Sequence, residues 1–385
     1  MRRSFLSLLG GSVLVIAAVM WLDQIPLVGQ VPTATANAAK SAAPASPAGN
    51  WIPPRTPWGD PDLQGVYNTA TGTPLQRPRE AGDKAFYSEA EAEAFETEQE
   101  AEIDAPPRPD YPTGNYNDHW FDPQRRKLTY DRRTSLIVDP PDGRSPPLVP
   151  LSLERERARA VAADANRRFI DGFPYNWQET SPPLRCITRQ DKPPVLPAGY
   201  NSNTQIFQSP GYVALVVEMK GAARIIPLDG RPLLGKSIRN WVGEPRGHWE
   251  GNTLVVESTN FRLEGVYNYA GGQYGTNRDA LPPVVADPET YRLTERFTRV
   301  AGDMVHYEFT VEDPRTWTRP WTARIPWTRM DVANPGHQLF EYACHEDNYD
   351  AVHMLSAARR REQAGDGPNP PGPALRKFFE DVDKR

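Results

Sequence analysis

Residues 291–311, YRLTERFTRVAGDMVHYEFTV, alternate apolar and polar side chains on either side of a glycine-containing break. Successive side chains of a strand point to opposite faces, so the loop length decides which residues share a face. A three-residue loop, Ala301-Gly302-Asp303, pairs Phe297 with Tyr307 and Arg296 with Glu308. That register gathers Leu293, Phe297, Val305, Tyr307, Phe309 and Val311 on one face, as an antiparallel sheet with one buried side requires. A two-residue loop scatters them and is rejected. The same register sets Glu295 among the apolar residues, opposite Phe309. A buried carboxylate is costly unless paired, and burial raises its pKa, which makes Glu295 a candidate general acid. A place at the rim, or an arginine partner, is the competing reading.

Working outward, similar short runs recur from residue 204 onward: Thr204–Phe207, Tyr212–Met219, Ala223–Leu228, His248–Glu250, Thr253–Ser258, Trp321–Trp327 and Leu339–Cys344. Short strands joined by glycine-containing turns predict a mainly β fold, an antiparallel meander closed as a calycin-like barrel or packed as a sandwich. In His248–Val256 a Gly251-Asn252 turn suits a two-residue hairpin. His248, Glu250 and Glu257 then share a polar face, either exposed or lining a cavity, while Trp249, Leu254 and Val256 face the core. Glu218 and Arg224 flank Met219–Ala223; a three-residue loop makes them cross-strand partners and a two-residue turn separates them.

Residues 1–38 read as an export signal. Arg2-Arg3 precedes an apolar run ending near Leu22, and Ala36-Asn37-Ala38 offers a small-x-small cleavage site. The arginine pair resembles a twin-arginine signal, so the expected partners are twin-arginine or general export machinery and the expected location is periplasmic or secreted. Membrane contact would follow only from an uncleaved signal, since about twenty apolar residues span a bilayer. Residues 39–50 form a flexible linker and 51–185 a Pro-rich segment with two helices, at Ser88–Ile103 and Ser152–Arg168, packed on the main body. Ser88 and Glu91 have the spacing of a capping box. Residues 186–350 form the β domain, and 351–385 a linker and helix carrying Leu375, Phe378 and Phe379.

The 41 prolines imply much loop, because proline lacks a backbone donor. A net charge of −5 with dispersed basic residues argues against a nucleic-acid partner. Cys186 and Cys344 are the two cysteines, and in an exported chain they most simply form one disulfide.

The segments Ile226–Arg231, Arg246–Val256, Asn260-Phe261 and Phe340–Tyr349, with Pro61–Tyr67, together resemble the pattern of a family of exported bacterial proteins. The resemblance spans most of the chain and implies a β-rich fold and export. It carries over no chemistry and no catalytic residues. Asn252 stands where the pattern has aspartate, and either residue suits the turn.

No GxSxG elbow, phosphate loop or dinucleotide fingerprint is present. Four residues are therefore the catalytic candidates: His345, beside the cysteine staple, with Glu295, His248 and Glu250. Substrate-binding candidates are Glu218, Arg224, Tyr200, Asn201, Trp249 and Trp321. No cofactor is expected. His248, Glu250, His345 and Glu346 offer metal-ligand types without a metal-site spacing. The leading expectation is acid–base hydrolase or lyase chemistry on a small polyhydroxylated or aromatic molecule. The alternatives are a noncatalytic barrel with an aromatic pocket (Trp317, Trp321, Trp327) and an envelope structural protein.

Overall fold

The computed structural model describes residues 51–103, 122–151, 172–180, 182–188, 192–219, 223–262, 286–346 and 348–367, with scattered positions over 154–165 and at 376, 377 and 380. The export signal, the linker at 39–50 and the apolar residues of the C-terminal helix lie outside the described residues.

Ten strands form one antiparallel sheet, nearly closed into a barrel: β1 (Gly65–Asn68), β2 (Ile137–Asp139), β3 (Asn203–Ser209), β4 (Tyr212–Val217), β5 (Ala223–Pro227), β6 (Glu244–Glu250), β7 (Thr253–Thr259), β8 (Arg292–Ala301), β9 (Met304–Glu312) and β10 (Trp321–Arg329). The path runs β5-β4-β3-β1-β10-β9-β8-β7-β6, with β2 pairing the edge of β10 that β1 also uses. Phe297 pairs with Tyr307 and Glu295 with Phe309, the register that the three-residue loop predicts. His248 pairs with Val255 and Trp249 with Leu254, again as the turn length requires.

The Pro-rich segment contributes more than packing. β1 pairs with β3 on one side and β10 on the other, joining the two halves of the sheet. Four residues are too few to show period 2 against a proline-rich background. Pro326 in the middle of β10 is tolerated for a related reason. The Arg324 N–H is directed to Leu136, so position 326, two residues on, faces the same edge. It falls between the pairings with β2 at residues 322–323 and with β1 at 328–329, where no ladder donor is needed.

The predicted strand at Leu339–Cys344 does not form; the segment is irregular and ends in a turn. Phe340 is exposed, and among the described residues no strand pairs with the segment. α1 (Glu89–Ile103) forms as expected, and its capping box closes: Glu91 accepts the Ser88 N–H at 2.8 Å while Ser88 Oγ accepts the Glu91 N–H at 3.3 Å. The described positions of 154–165 are mostly helical. A short α2 (Met330–Ala333) and α3 (Asp350–Gln363) follow the sheet, α3 within a segment expected to begin as linker.

The barrel interior is packed, not hollow, around Trp317, Trp321 and Trp327. Trp327 lies 4.7 Å from Tyr307 and 5.6 Å from Phe297 between ring centroids, and Trp317 meets Trp321 edge-on at 5.9 Å. Their faces are taken up by one another and by neighbouring rings. Cys186 and Cys344 form the expected disulfide, with Cα atoms 5.6 Å apart. Among the described residues no helix is long and apolar enough to cross a membrane.

Candidate functional site

β5 and β6 are the strands that the sheet path leaves at its two ends, and side chains bring them together. A Cβ on Gly247 would stand 2.7 Å from Ile226 and from Leu228, so only glycine lets the two strands approach. Arg246 donates to the carbonyls of Arg231 at 3.0 Å and Pro232 at 2.7 Å. The connection between β5 and β6 is thereby strapped against the seam.

Glu244 organises the far side of that strap. It is buried, pairs with Arg246, and accepts from the Leu234 N–H at 2.8 Å and Asn260 Nδ2 at 2.8 Å. Asn260 adopts a left-handed backbone, φ 56°, and its carbonyl accepts the Asn240 N–H. Phe261 follows, and its edge meets Tyr291 at 5.1 Å with the rings at 90°. Gly243 makes room for that ring, since a Cβ there would lie 2.5 Å from Phe261.

These contacts frame a cleft of about 190 Å³. Leu233, Leu234, Lys236 and Arg239 line it from the strap, Thr259 and Asn260 from the end of β7, and Pro288, Glu289, Tyr291 and Arg292 from the entry to β8. Three cations face one carboxylate, and that carboxylate is committed: Glu289 pairs with Arg239. Among the described residues Lys236 and Arg292 have no acidic partner; Glu312, opposite Arg292 on β9, makes no ion pair with it. Tyr291 is 4% exposed and burial pushes its phenol well above the usual tyrosine range, so it stays a neutral hydroxyl.

The four predicted catalytic residues do not line that cleft and are not brought together at one place. Glu295 is 0% exposed inside the barrel. Arg224 donates to it through both terminal nitrogens, the Nη1–Oε1 contact being 3.1 Å, and Tyr307 Oη donates to Oε1 at 2.7 Å. The Tyr307 hydroxyl in turn accepts the Val195 N–H at 3.0 Å, and its phenol is held well above the ordinary value by burial and by the Glu295 charge. The arginine-paired reading of Glu295 is therefore the observed one. His345 is exposed on the turn beside the disulfide, with no hydrogen bond or ion pair to Glu295. His248 and Glu250 do meet, at 3.3 Å, on the outer face, where Arg296 also donates to Glu250 at 2.7 Å. Arg296, then His248, holds the Glu250 carboxyl below its usual range.

Arg224 is opposite Leu215, so neither hairpin considered for Glu218 and Arg224 forms and the two do not pair. Glu218 instead accepts from Asn203 Nδ2 at 2.8 Å, and Asn203 Oδ1 from Asn68 Nδ2 at 3.0 Å. Tyr200 is buried, and Asn201 has φ 51°, in the adjoining loop. There Asp122 accepts the Ser202 N–H at 3.0 Å, and burial raises its carboxyl pKa. Trp249 is half-buried against the core and Trp321 lies within it. Among the described residues no group of three or more His, Cys, Asp or Glu side chains could hold a metal ion.

Sequence reasoning did not single out Lys236, Arg239, Tyr291 or Arg292 as site residues. Their spacing is spread over two connections, and no motif marks them. Asn260-Phe261, which orients the cleft, was visible only as part of the family resemblance. His306 was also overlooked. It stacks on Tyr130 at 5.9 Å, with Nε2 and Oη 3.1 Å apart, and burial, then Arg324, lowers its pKa. The chain matches no protein-family profile, no curated protein and no solved structure.

Proposed function

We propose that this is an extracytoplasmic barrel protein whose cleft binds a small anionic molecule without transforming it. The observation that carries this reading is the pair of cations without acidic partners among the described residues, Lys236 and Arg292, set beside Tyr291 in a cleft of about 190 Å³. Opposite charge recognises an oxyanion, and Glu289, the acidic residue in the lining, is already committed to Arg239. Among the described residues no carboxylate–histidine pair lines the cleft, which favours binding over proton transfer. Export is supported by the leader-like sequence at 1–38 and by the disulfide, which persists in oxidising compartments. Membership of the exported bacterial family remains part of the same proposal.

Thermal unfolding with a panel of small carboxylates, phosphate and neutral analogues tests it. A ligand that binds only the folded state raises the melting temperature with concentration. A rise of a few degrees with an anion, lost in Lys236→Glu/Arg292→Glu, supports the cleft. An equal rise in that double variant refutes it. Hydrolase or lyase chemistry is the second reading, and the 3.3 Å His248–Glu250 contact is what favours it. Turnover of any ester or glycoside that disappears in His248→Ala would move the assignment there.

A further inference from the structure

We infer that the cleft selects an apolar monocarboxylate, one aromatic ring or a short aliphatic chain bearing a single carboxylate, over inorganic oxyanions; this rests on the anion-binding reading above. Many phosphate and sulfate sites add converging backbone N–H groups to their cations. Several such donors in and beside the cleft are committed here. The Leu234 N–H goes to Glu244 and the Asn240 N–H to Asn260; the Glu289 N–H goes to the Asp287 side chain, and the Thr290 and Tyr291 N–H groups to the Asp287 carbonyl. What the cleft leaves for charge is two separate side-chain cations, enough for one carboxylate.

One wall of the cleft is apolar, beside Thr259 and Asn260. Leu233 and Leu234 are 46% and 50% exposed, unusually open for leucine, and they stand with Pro288 and the Tyr291 ring on the wall of the same cleft. A ligand with an apolar body would cover that surface, whereas a hydrated inorganic ion would leave it wet. The cleft is smaller than the roughly 300–1,000 Å³ of sites for drug-sized ligands, which limits the body to one ring or a short chain.

Isothermal titration of the purified full chain with benzoate, hexanoate, phosphate and benzyl alcohol separates the outcomes. The expected result is benzoate or hexanoate binding at least about tenfold tighter than phosphate, with no binding of benzyl alcohol. Leu234→Ser should weaken benzoate about tenfold and leave phosphate unchanged, and Lys236→Ala or Arg292→Ala should weaken every anion. All three sites are exposed, and circular dichroism confirms that the variants fold. Phosphate binding as tight as benzoate, insensitive to Leu234→Ser, overturns the selection while the anion site stands. Anion binding unchanged by Lys236→Ala and Arg292→Ala overturns both readings.

Discussion

Arg224 on β5 and Glu295 on β8 meet inside the barrel, two strands that are not neighbours in the sheet. Both side chains are almost wholly buried, 4% and 0% exposed, and Tyr307 completes the carboxylate's shell. The pair ties opposite regions of the wall together through the core.

Removing one partner strands a buried charge, which typically costs about 3–5 kcal/mol. Glu295→Leu should therefore destabilise strongly, and Arg224→Met/Glu295→Leu should recover much of the loss. Urea unfolding followed by tryptophan fluorescence measures both. Equal costs for single and double variants would show that the pair is not the reason.

Gly247 is required by the β5–β6 seam. Gly247→Ala places a methyl 2.7 Å from Ile226 and Leu228, and overpacking of this kind costs about 1–3 kcal/mol. Gly251→Ala, whose Cβ meets nothing within 4 Å but whose φ is 60°, probes backbone strain alone. Comparing the two by thermal melting separates crowding from conformation.

Stability should decline in mild acid because of His306. Its folded pKa lies below the ordinary histidine value of 6.5, owing to burial first and Arg324 second. Between the two values the unfolded chain binds more protons, so stability falls as the pH drops from about 6.5 through the folded pKa. His306→Gln should flatten that slope. An unchanged pH profile would remove His306 from the account.

Reducing Cys186–Cys344 should destabilise the chain. The bridge closes a loop of 158 residues, for which chain entropy alone gives up to about 5 kcal/mol. Melting with and without reductant reads the difference, with Cys186→Ser/Cys344→Ser as control. Coincident melts would mean that the loop is already held by other contacts.

Glu244→Ala should loosen the cleft more than the barrel. It leaves the Leu234 N–H without its acceptor and Asn260 Nδ2 with the Leu234 carbonyl alone, at about 1–3 kcal/mol for a buried donor. The expected signature is weakened anion binding exceeding the loss in global stability, measured by titration beside urea unfolding.

The sequence by itself determined the contacts that close over short distances along the chain. The register of Tyr291–Val311 follows from period 2 and one loop length, as does that of His248–Val256, and the Ser88–Glu91 box needs only helical spacing. The burial of Glu295 was legible for the same reason, but its partner was not. Arg224 lies 71 residues away, and β1 finds its place between β3 and β10 only through strands more than a hundred residues distant. The cleft likewise joins two connections whose residues follow no common pattern. Periodicity says which way a side chain points, never what waits on the far wall; closing the barrel decided that, because it alone sets which strands face each other across the core.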